Sequence, residues 1–404
     1  MEITAAAAEL SDYLSSVRHE LHEHPEIGLD LPRTQALILR ELAGLGLEVS
    51  TGQSLTSVVA VLRGEGVDRG SAPVPAVLLR ADMDALPVAE EVEVDFKSKE
   101  PGRMHACGHD LHVTMLIGAV KLLVERRAEL KGDVVFMFQP GEEGQGGARL
   151  MIAEGVLDAA GERVRAAFGI HVFSAMLGHG QFTSRRNSMM AAADELHVSV
   201  EGRGGHGSAP HAAKDPVPVA AEMVTALNAM VTRKFDVFDP VVVTVGSFHA
   251  GTAANIIPDR AQFAATLRTL SPQSRAVMKQ ETVRLVRGIA DAHGLDVEID
   301  YQDGYPVTVN DPLSVDFVSE VVEGMFGQGR YQEMANPILG AEDFSYVLEQ
   351  VPGAFVGLGA VAADADPSTT AYNHSPRAAY DDSVLPMGAA LYAGLALRKL
   401  DSLA

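Results

Sequence analysis

Residues 104–112 read Met-His-Ala-Cys-Gly-His-Asp-Leu-His and contain the only cysteine of a 404-residue chain. Cys107 therefore makes no internal disulfide, and its place two residues before His109 needs another reason. A thiolate and a neutral imidazole are both good donors to zinc and the later first-row divalent metals, and Cys-x-His spacing on a turn lets both converge on one ion. The plainer alternative is a small buried thiol, with the histidines capping the next helix. The flanking segments decide between the two.

Upstream, residues 58–62 and 74–79 are short apolar runs of the kind that fill central strands buried on both faces. The second runs into Arg80-Ala81-Asp82-Met83-Asp84, which puts carboxylates just past a core strand, where open α/β sheets place their ligands. Downstream, Asp110 is expected to cap a long helix with Met115, Leu116, Ala119, Leu122 and Leu123 on its apolar face. A strand over 134–138 then enters Gln139-Pro140-Gly141-Glu142-Glu143-Gly144. Successive side chains diverge in extended or tightly turning chain, so one glutamate can hold a metal while its neighbour faces a substrate. A strand over 166–170 ends at His171. Three strand ends thus deliver donors to one sheet edge.

Nearer the N-terminus, Leu10, Leu14, Val17 and Leu21 predict a helix over 9–24 that stops at His24-Pro25, and a second helix spans 34–43. From Arg185 the order becomes strand (194–201), glycine-rich turn (202–208), helix (216–231), strand (241–248), strand (261–270), helix (275–293) and strand (297–302). This βαββαβ series suits a ferredoxin-like unit inserted in a larger domain. After Tyr305 come helices over 313–326 and from 342, a strand over 354–358, the loop Asn373-His374-Ser375-Pro376 and a last helix from Asp382. The fold class expected is α/β in two domains. Residues 1–184 and 304–404 form an α/β/α sandwich with a mixed sheet, and 185–303 form an inserted α+β lid.

Composition narrows the function. Fifty-four acidic against 32 basic residues give a net charge of −22, the wrong sign for a nucleic-acid binder. No run approaches the 18 or so apolar residues of a membrane helix, and one cysteine with no signal-like segment fits a reducing cytoplasm. Cys107, His109, Glu143, His171 and His374 are too many donors for one tetrahedral ion and suit two ions sharing a bridging group. Such a pair polarises a carbonyl and lowers the pKa of bound water towards about 7. Glu142, beside a ligand but not needed as one, is the natural general base.

The segments LHEHPE (21–26), LLRADMDALPV (78–88), MHACGHDLH (104–112), FQPGEEG (138–144), GIHV (169–172), GGHGSAPH (204–211), GTAANIIPD (251–259), GAEDFS (340–345) and NHSP (373–376) together resemble the metal-dependent amidohydrolases. That group includes aminoacylases, hippurate hydrolase and the hydrolases of indoleacetyl amino acids. The resemblance implies Cys107 as the shared ligand, where related peptidases have aspartate, with His109, Glu143, His171 and His374 as the other ligands and Glu142 as the base. It implies Asp84, with Asp82 as a weaker companion, as the aspartate that steadies the centre. His206 is implied as a donor to the oxyanion reaching in from a partner subunit, and Asn255 and Arg268 as holders of the substrate carboxylate. Gly141 and Ile256 stand where alanine and valine are frequent, and neither touches an implied ligand. The expectation is a homodimer or tetramer that uses two divalent ions (Zn, Mn, Ni or Co) to hydrolyse N-acyl amino acids. A dipeptidase or carboxypeptidase of the same fold is the alternative enzyme. A non-catalytic metal-binding protein is the alternative of another class.

Overall fold

In the computed structural model, which describes residues 2–70 and 73–404, the chain divides into two units. The first runs to Met189 and resumes over Val309–Ala335 and Asp343–Ala404; the second holds Met190–Thr308 and Asn336–Glu342. In chain order the first contributes α1 (Ile3–Glu9), α2 (Ser11–Glu23), α3 (Pro32–Leu42), β1 (Glu48–Thr51), β2 (Val58–Leu62), β3 (Ala76–Asp82), α4 (His109–Val124), β4 (Asp133–Gln139), α5 (Gly147–Ala153), β5 (Ala166–Phe173) and β6 (Phe182–Ser184). The chain then passes through β7 (Asn187–Met190), β8 (Ala192–Glu201), β9 (Gly205–His206), α6 (Pro216–Lys234), β10 (Val242–Ala250), β11 (Ile256–Ile257), β12 (Arg260–Thr269), α7 (Pro272–His293) and β13 (Asp296–Tyr305). It finishes with β14 (Thr308–Asn310), α8 (Pro312–Phe326), β15 (Tyr331–Glu333), α9 (Ser345–Leu348), β16 (Gly353–Gly359) and α10 (Leu385–Leu403).

The first unit is built on a mixed eight-stranded sheet ordered β1-β2-β4-β3-β5-β16-β6-β15. The central strands β3, β4, β5 and β16 run parallel to their neighbours within that group and are buried at every position. Their largely apolar sequences match a sheet covered on both faces. On one face Val77, Leu79, Phe136, Phe138, Phe168, Ile170 and Val356 share a core with α2, α3, α4, α8 and α10. On the other, Arg80 lies under Phe344, which packs on Phe355. The sheet places the C-terminal ends of β3, β4 and β5 side by side, and these carry Asp82, Gln139 and the His171 segment.

In the second unit β8, α6, β10, β12, α7 and β13 follow one another, and the sheet order β10-β12-β8-β13 is antiparallel throughout. Alternate residues, Leu196, Val198 and Val200 on β8 and Phe263, Ala265 and Leu267 on β12, form its core with α6 and α7. The helices start at side-chain caps: Asp215 accepts from Val217 N–H and Ser271 from Ser274 N–H, each followed by proline at the first helical position. Residues 336–342 join this unit instead of the first because Ala191 N–H reaches the Ile338 and Gly340 carbonyls at 3.1 and 3.0 Å. No helix among the described residues is long and apolar enough to cross a membrane.

Two local expectations are corrected. Helix α1 precedes α2 as a separate element, because the alanine run Ala5–Ala8 forms helix without a 3.6-residue apolar pattern to reveal it. Asp110 does not cap α4. Gly108 takes the cap position at φ 82°, with an added Cβ placed 2.4 Å from Val172 Cγ2, so only glycine fits. Asp110 lies inside the first turn, its Oδ2 accepting from Arg18 Nε at 2.7 Å and paired with His22 Nδ1 at 2.8 Å. Burial would raise its carboxyl pKa, but Arg18 and His22 hold it far below the usual range.

Candidate metal centre

The turn after β4 is held by one carboxylate. Asp84 Oδ1 accepts from the backbone N–H of Glu142 at 2.9 Å and its Oδ2 from that of Glu143 at 3.0 Å. Both bonds go to backbone, so they fix where the glutamate side chains start without occupying them. Glu142 and Glu143 then come together with His109, one ligand atom of each within 4.8 Å of the others.

Cys107 belongs to two further groups at the same spacing, one with His109 and His171 and one with Glu143 and His374. Its Sγ lies 3.4 Å from His171 Nε2. His171 Nδ1 donates to the Val172 carbonyl at 2.8 Å, which leaves the lone pair on Nε2, facing the sulfur. His374 Nε2 is 3.1 Å from Glu143 Oε1. The loop bearing His374 is pinned to the cysteine turn: Asn373 Nδ2 donates to the Cys107 and Val172 carbonyls, and His374 N–H donates to the Ala106 carbonyl at 2.8 Å. His374 sits at φ 71°, a strained backbone for a non-glycine residue of the sort that collects at functional sites.

The electrostatics call for a cation. His109 is fully buried, and neither of its ring nitrogens has a hydrogen-bond partner among the described residues; Asp84 and Asp82 stand 3.7 Å away on either side. Burial alone would depress its pKa, yet Asp82 and Cys107 lift it well above the ordinary value. Hydrogen bonds that its ring donates to Cys107 and Glu143 likewise push His374 up to about 10. Protons are thus drawn to the positions that a divalent ion would neutralise. Converging thiol, imidazole and carboxylate donors, among them the buried and unpartnered ring of His109, fit such an ion.

His112, Arg80, Asp343 and Asn373 were not singled out from the sequence. His112 stands three residues after His109 on α4. Val172 N–H donates to its Nε2 at 2.8 Å, so the proton sits on Nδ1, which meets Asp82 Oδ1 at 2.5 Å. With both nitrogens engaged, His112 orients Asp82 and is not an available donor. Arg80, fully buried, pairs with Asp82 at 2.6 Å and Asp343 at 2.9 Å. Burial would raise Asp82, but Arg80 and the two histidines hold it well below the carboxylate range; Asp343, against the pull of Arg80, is pushed by burial up to about 6. Arg80→Leu would take the guanidinium from between two buried carboxylates, and a loss of about 3–5 kcal/mol in unfolding free energy is expected from denaturant titration. A loss under about 1 kcal/mol would show that the cluster is not held as described.

The remaining candidates lie in the second unit. His206 on β9 pairs with Ile256 on β11; its Nδ1 meets Ser208 Oγ at 2.8 Å, and the Asn255 carbonyl accepts from Gly207 N–H at 2.8 Å. His206 and Asn255 are thus neighbours, and both are exposed. Arg268 is not with them. It pairs with Ala193 at one end of β12, whereas the β9–β11 ribbon follows from the other end, where Arg260 pairs with Glu201. Arg268 lies eight steps along the strand from Arg260, about 27 Å.

Comparison with known proteins agrees with this architecture. Thermostable carboxypeptidase 2 of Saccharolobus solfataricus is 38% identical over 393 residues, 96% of each chain. Hippurate hydrolase of Campylobacter jejuni is 35% identical over 400 residues, covering 99% of this chain and 100% of its own. The crystal structure of the Bacillus subtilis YXEP protein, described as a dinuclear metal binding peptidase, superposes with TM-score 0.82 at 32% identity, covering 98% of this chain and 99% of its own. The profile of Peptidase family M20/M25/M40 matches residues 78–398. The chain belongs to that family, and the metal-dependent amidohydrolase resemblance carried by its motifs is a true kinship.

Proposed function

We propose that this protein hydrolyses the amide bond of N-acyl amino acids, with Cys107, His109, Glu143, His171 and His374 holding two divalent ions and Glu142 serving as general base. The observation that carries the reading is the convergence of those five donors in overlapping groups, with Cys107 in two of them and Glu142 alongside His109 and Glu143. When bound, the ions would polarise the amide carbonyl and make water acidic enough to give up a proton near neutral pH. Glu142 takes that proton as the water oxygen adds to the carbonyl carbon, and returns it to the nitrogen as the C–N bond breaks. Asp84 sets the geometry by gripping the backbone of both glutamates. The products are a carboxylate and a free amino acid.

The second unit, roughly 185–303 in the sequence reading, serves as lid and dimerisation domain in this proposal. His206 would donate to the oxygen on which charge develops, while Asn255 and Arg268 would hold the substrate carboxylate. Within one chain the length of β12 keeps Arg268 far from Asn255, so a single carboxylate can meet both only if two chains contribute. This is the physical support for a homodimer. A monomer that is fully active in sedimentation and assay would overturn it.

The likeness to a named carboxypeptidase favours a second reading, a peptidase acting on peptide carboxyl ends. The deciding experiment pairs metal content per chain, on protein purified without chelator, with amino-acid release from N-acyl amino acids and from free-amine dipeptides. Close to two ions per chain with release only from the acylated set is expected. Release only from dipeptides would install the second reading, and no release after Mn, Zn, Co or Ni is added back would remove both.

A further inference from the structure

Asn373, the residue before His374, is buried and has both ends of its side-chain amide in use. Its Oδ1 accepts from Ser174 N–H at 3.1 Å, and the Ser174 hydroxyl lies 3.2 Å from the same oxygen. Its Nδ2 donates one proton to the Val172 carbonyl at 2.9 Å and the other to the Cys107 carbonyl at 3.2 Å, with the Cys107 sulfur 3.9 Å away. Two carbonyls on one side and a backbone N–H on the other leave a single orientation for the amide.

These contacts reach three of the proposed ion donors, which come from three distant stretches of chain. Cys107, 266 positions before Asn373, is held through its own carbonyl. Fixing that carbonyl fixes the planar peptide unit beside the Cys107 Cα, and with it the direction in which the sulfur leaves the backbone. His171 is held through Val172, whose carbonyl accepts both His171 Nδ1–H at 2.8 Å and Asn373 Nδ2–H. His374 follows Asn373 directly, and its own N–H donates to the Ala106 carbonyl, which the Tyr380 hydroxyl also reaches at 2.8 Å. A non-glycine residue at φ 71° persists only where its surroundings over-determine it. The Asn373 amide and the Ala106 carbonyl supply that constraint to His374.

We propose that Asn373 is a positioning residue of this centre: its amide sets Cys107, His171 and His374 in mutual register and so governs how tightly divalent ions are held. This rests on the two-ion hydrolase reading above. Asn373 acts through the three donors, since its own oxygen and nitrogen both face protein groups. A plain tie between the loop and β5 would serve the fold without tuning the centre, and the two ends of the amide separate these roles. Asn373→Asp keeps the shape and the acceptor towards Ser174, but it turns an oxygen towards two carbonyls in place of the N–H donors. Ser174→Ala loosens the loop on the opposite side, where the hydroxyl also lies 2.8 Å from the Ala371 carbonyl, and leaves both Nδ2 bonds intact.

The test measures zinc affinity by chelator competition in the parent, Asn373→Asp, Asn373→Ser and Ser174→Ala, together with the rate at which Cys107 reacts with a thiol reagent in the folded, metal-free proteins. Zinc affinity is expected to fall about 10–100-fold in both Asn373 variants, the range for a residue that orients a ligand, and by much less in Ser174→Ala. The Cys107 thiol should react faster in both Asn373 variants than in the parent. An unchanged affinity in a folded Asn373 variant, or an equal loss in Ser174→Ala, would overturn the proposal. Asn373→Ser covers the case in which a carboxylate at this buried position prevents folding; failure of both variants to fold would make the amide a requirement of the fold and would also overturn it. If the parent binds no divalent ion, the hydrolase reading falls by itself, and the thiol rates still decide the role of Asn373, equal rates in parent and variants removing it.

Discussion

Glu142→Ala is expected to reduce turnover by about 10²–10⁴-fold, the range that a positioned general base supplies, while the metal content of the protein stays near that of the parent. The second half of this expectation comes from the backbone. Asp84 holds the turn through the N–H groups of Glu142 and Glu143, and truncating the Glu142 side chain removes neither bond. Glu143 therefore keeps its place beside His374, 3.1 Å away, and the donor set survives. Glu142 is 6% exposed, so alanine leaves only a small space at the edge of the site. Steady-state rates and metal analysis on the same preparation decide the matter. Retention of most activity would remove Glu142 as the base. Loss of metal along with activity would show that it is a ligand. Asp84→Ala is the informative contrast, because it frees both backbone groups and should lower metal content and rate together.

Much of this centre is legible in the sequence because its donors sit at ends of strands that read as buried runs. The strands β3, β4 and β5 are largely apolar, and the polar residues at or just beyond their C-terminal ends must lie at one edge of a parallel sheet; in the structure, the Asp84, Glu142 and His171 segments do. The groups that hold those donors were harder to see. Arg80 reads as the polar end of a strand, yet it is fully buried between Asp82 and Asp343, residues about 260 positions apart in the chain. Nothing local to either segment announces that pairing. Asp110 is misread for a related reason. Its position before an apolar helix satisfies the local rule for a cap, but Arg18 and His22, some 90 residues earlier, bind it more strongly as a buried ion cluster, and Gly108 takes the cap position by virtue of its φ alone. Local pattern reports which residues face inward; which charges meet there is decided by the tertiary fold.

Cys107→Ala is expected to cost the protein at least one of the two ions proposed for it and to lower activity by more than about a hundredfold, beyond what loss of an orienting neighbour typically costs. Cys107 is the only residue shared between the group with His109 and His171 and the group with Glu143 and His374. Removing its sulfur therefore takes one donor from each group at once. Cys107→Asp, by contrast, offers two carboxylate oxygens in the same place and should restore metal content and a substantial part of the rate. Since the chain has no other cysteine, thiol titration reports this one position. A sulfur bound to a divalent ion is a thiolate committed to the metal, so modification should be slow in loaded protein and speed up on chelation, even though Cys107 is only 7% exposed. Equal modification rates with and without metal would place the sulfur outside the coordination sphere. In that case an alanine variant with full metal content and activity should follow, and the two observations together would replace Cys107 as the shared ligand.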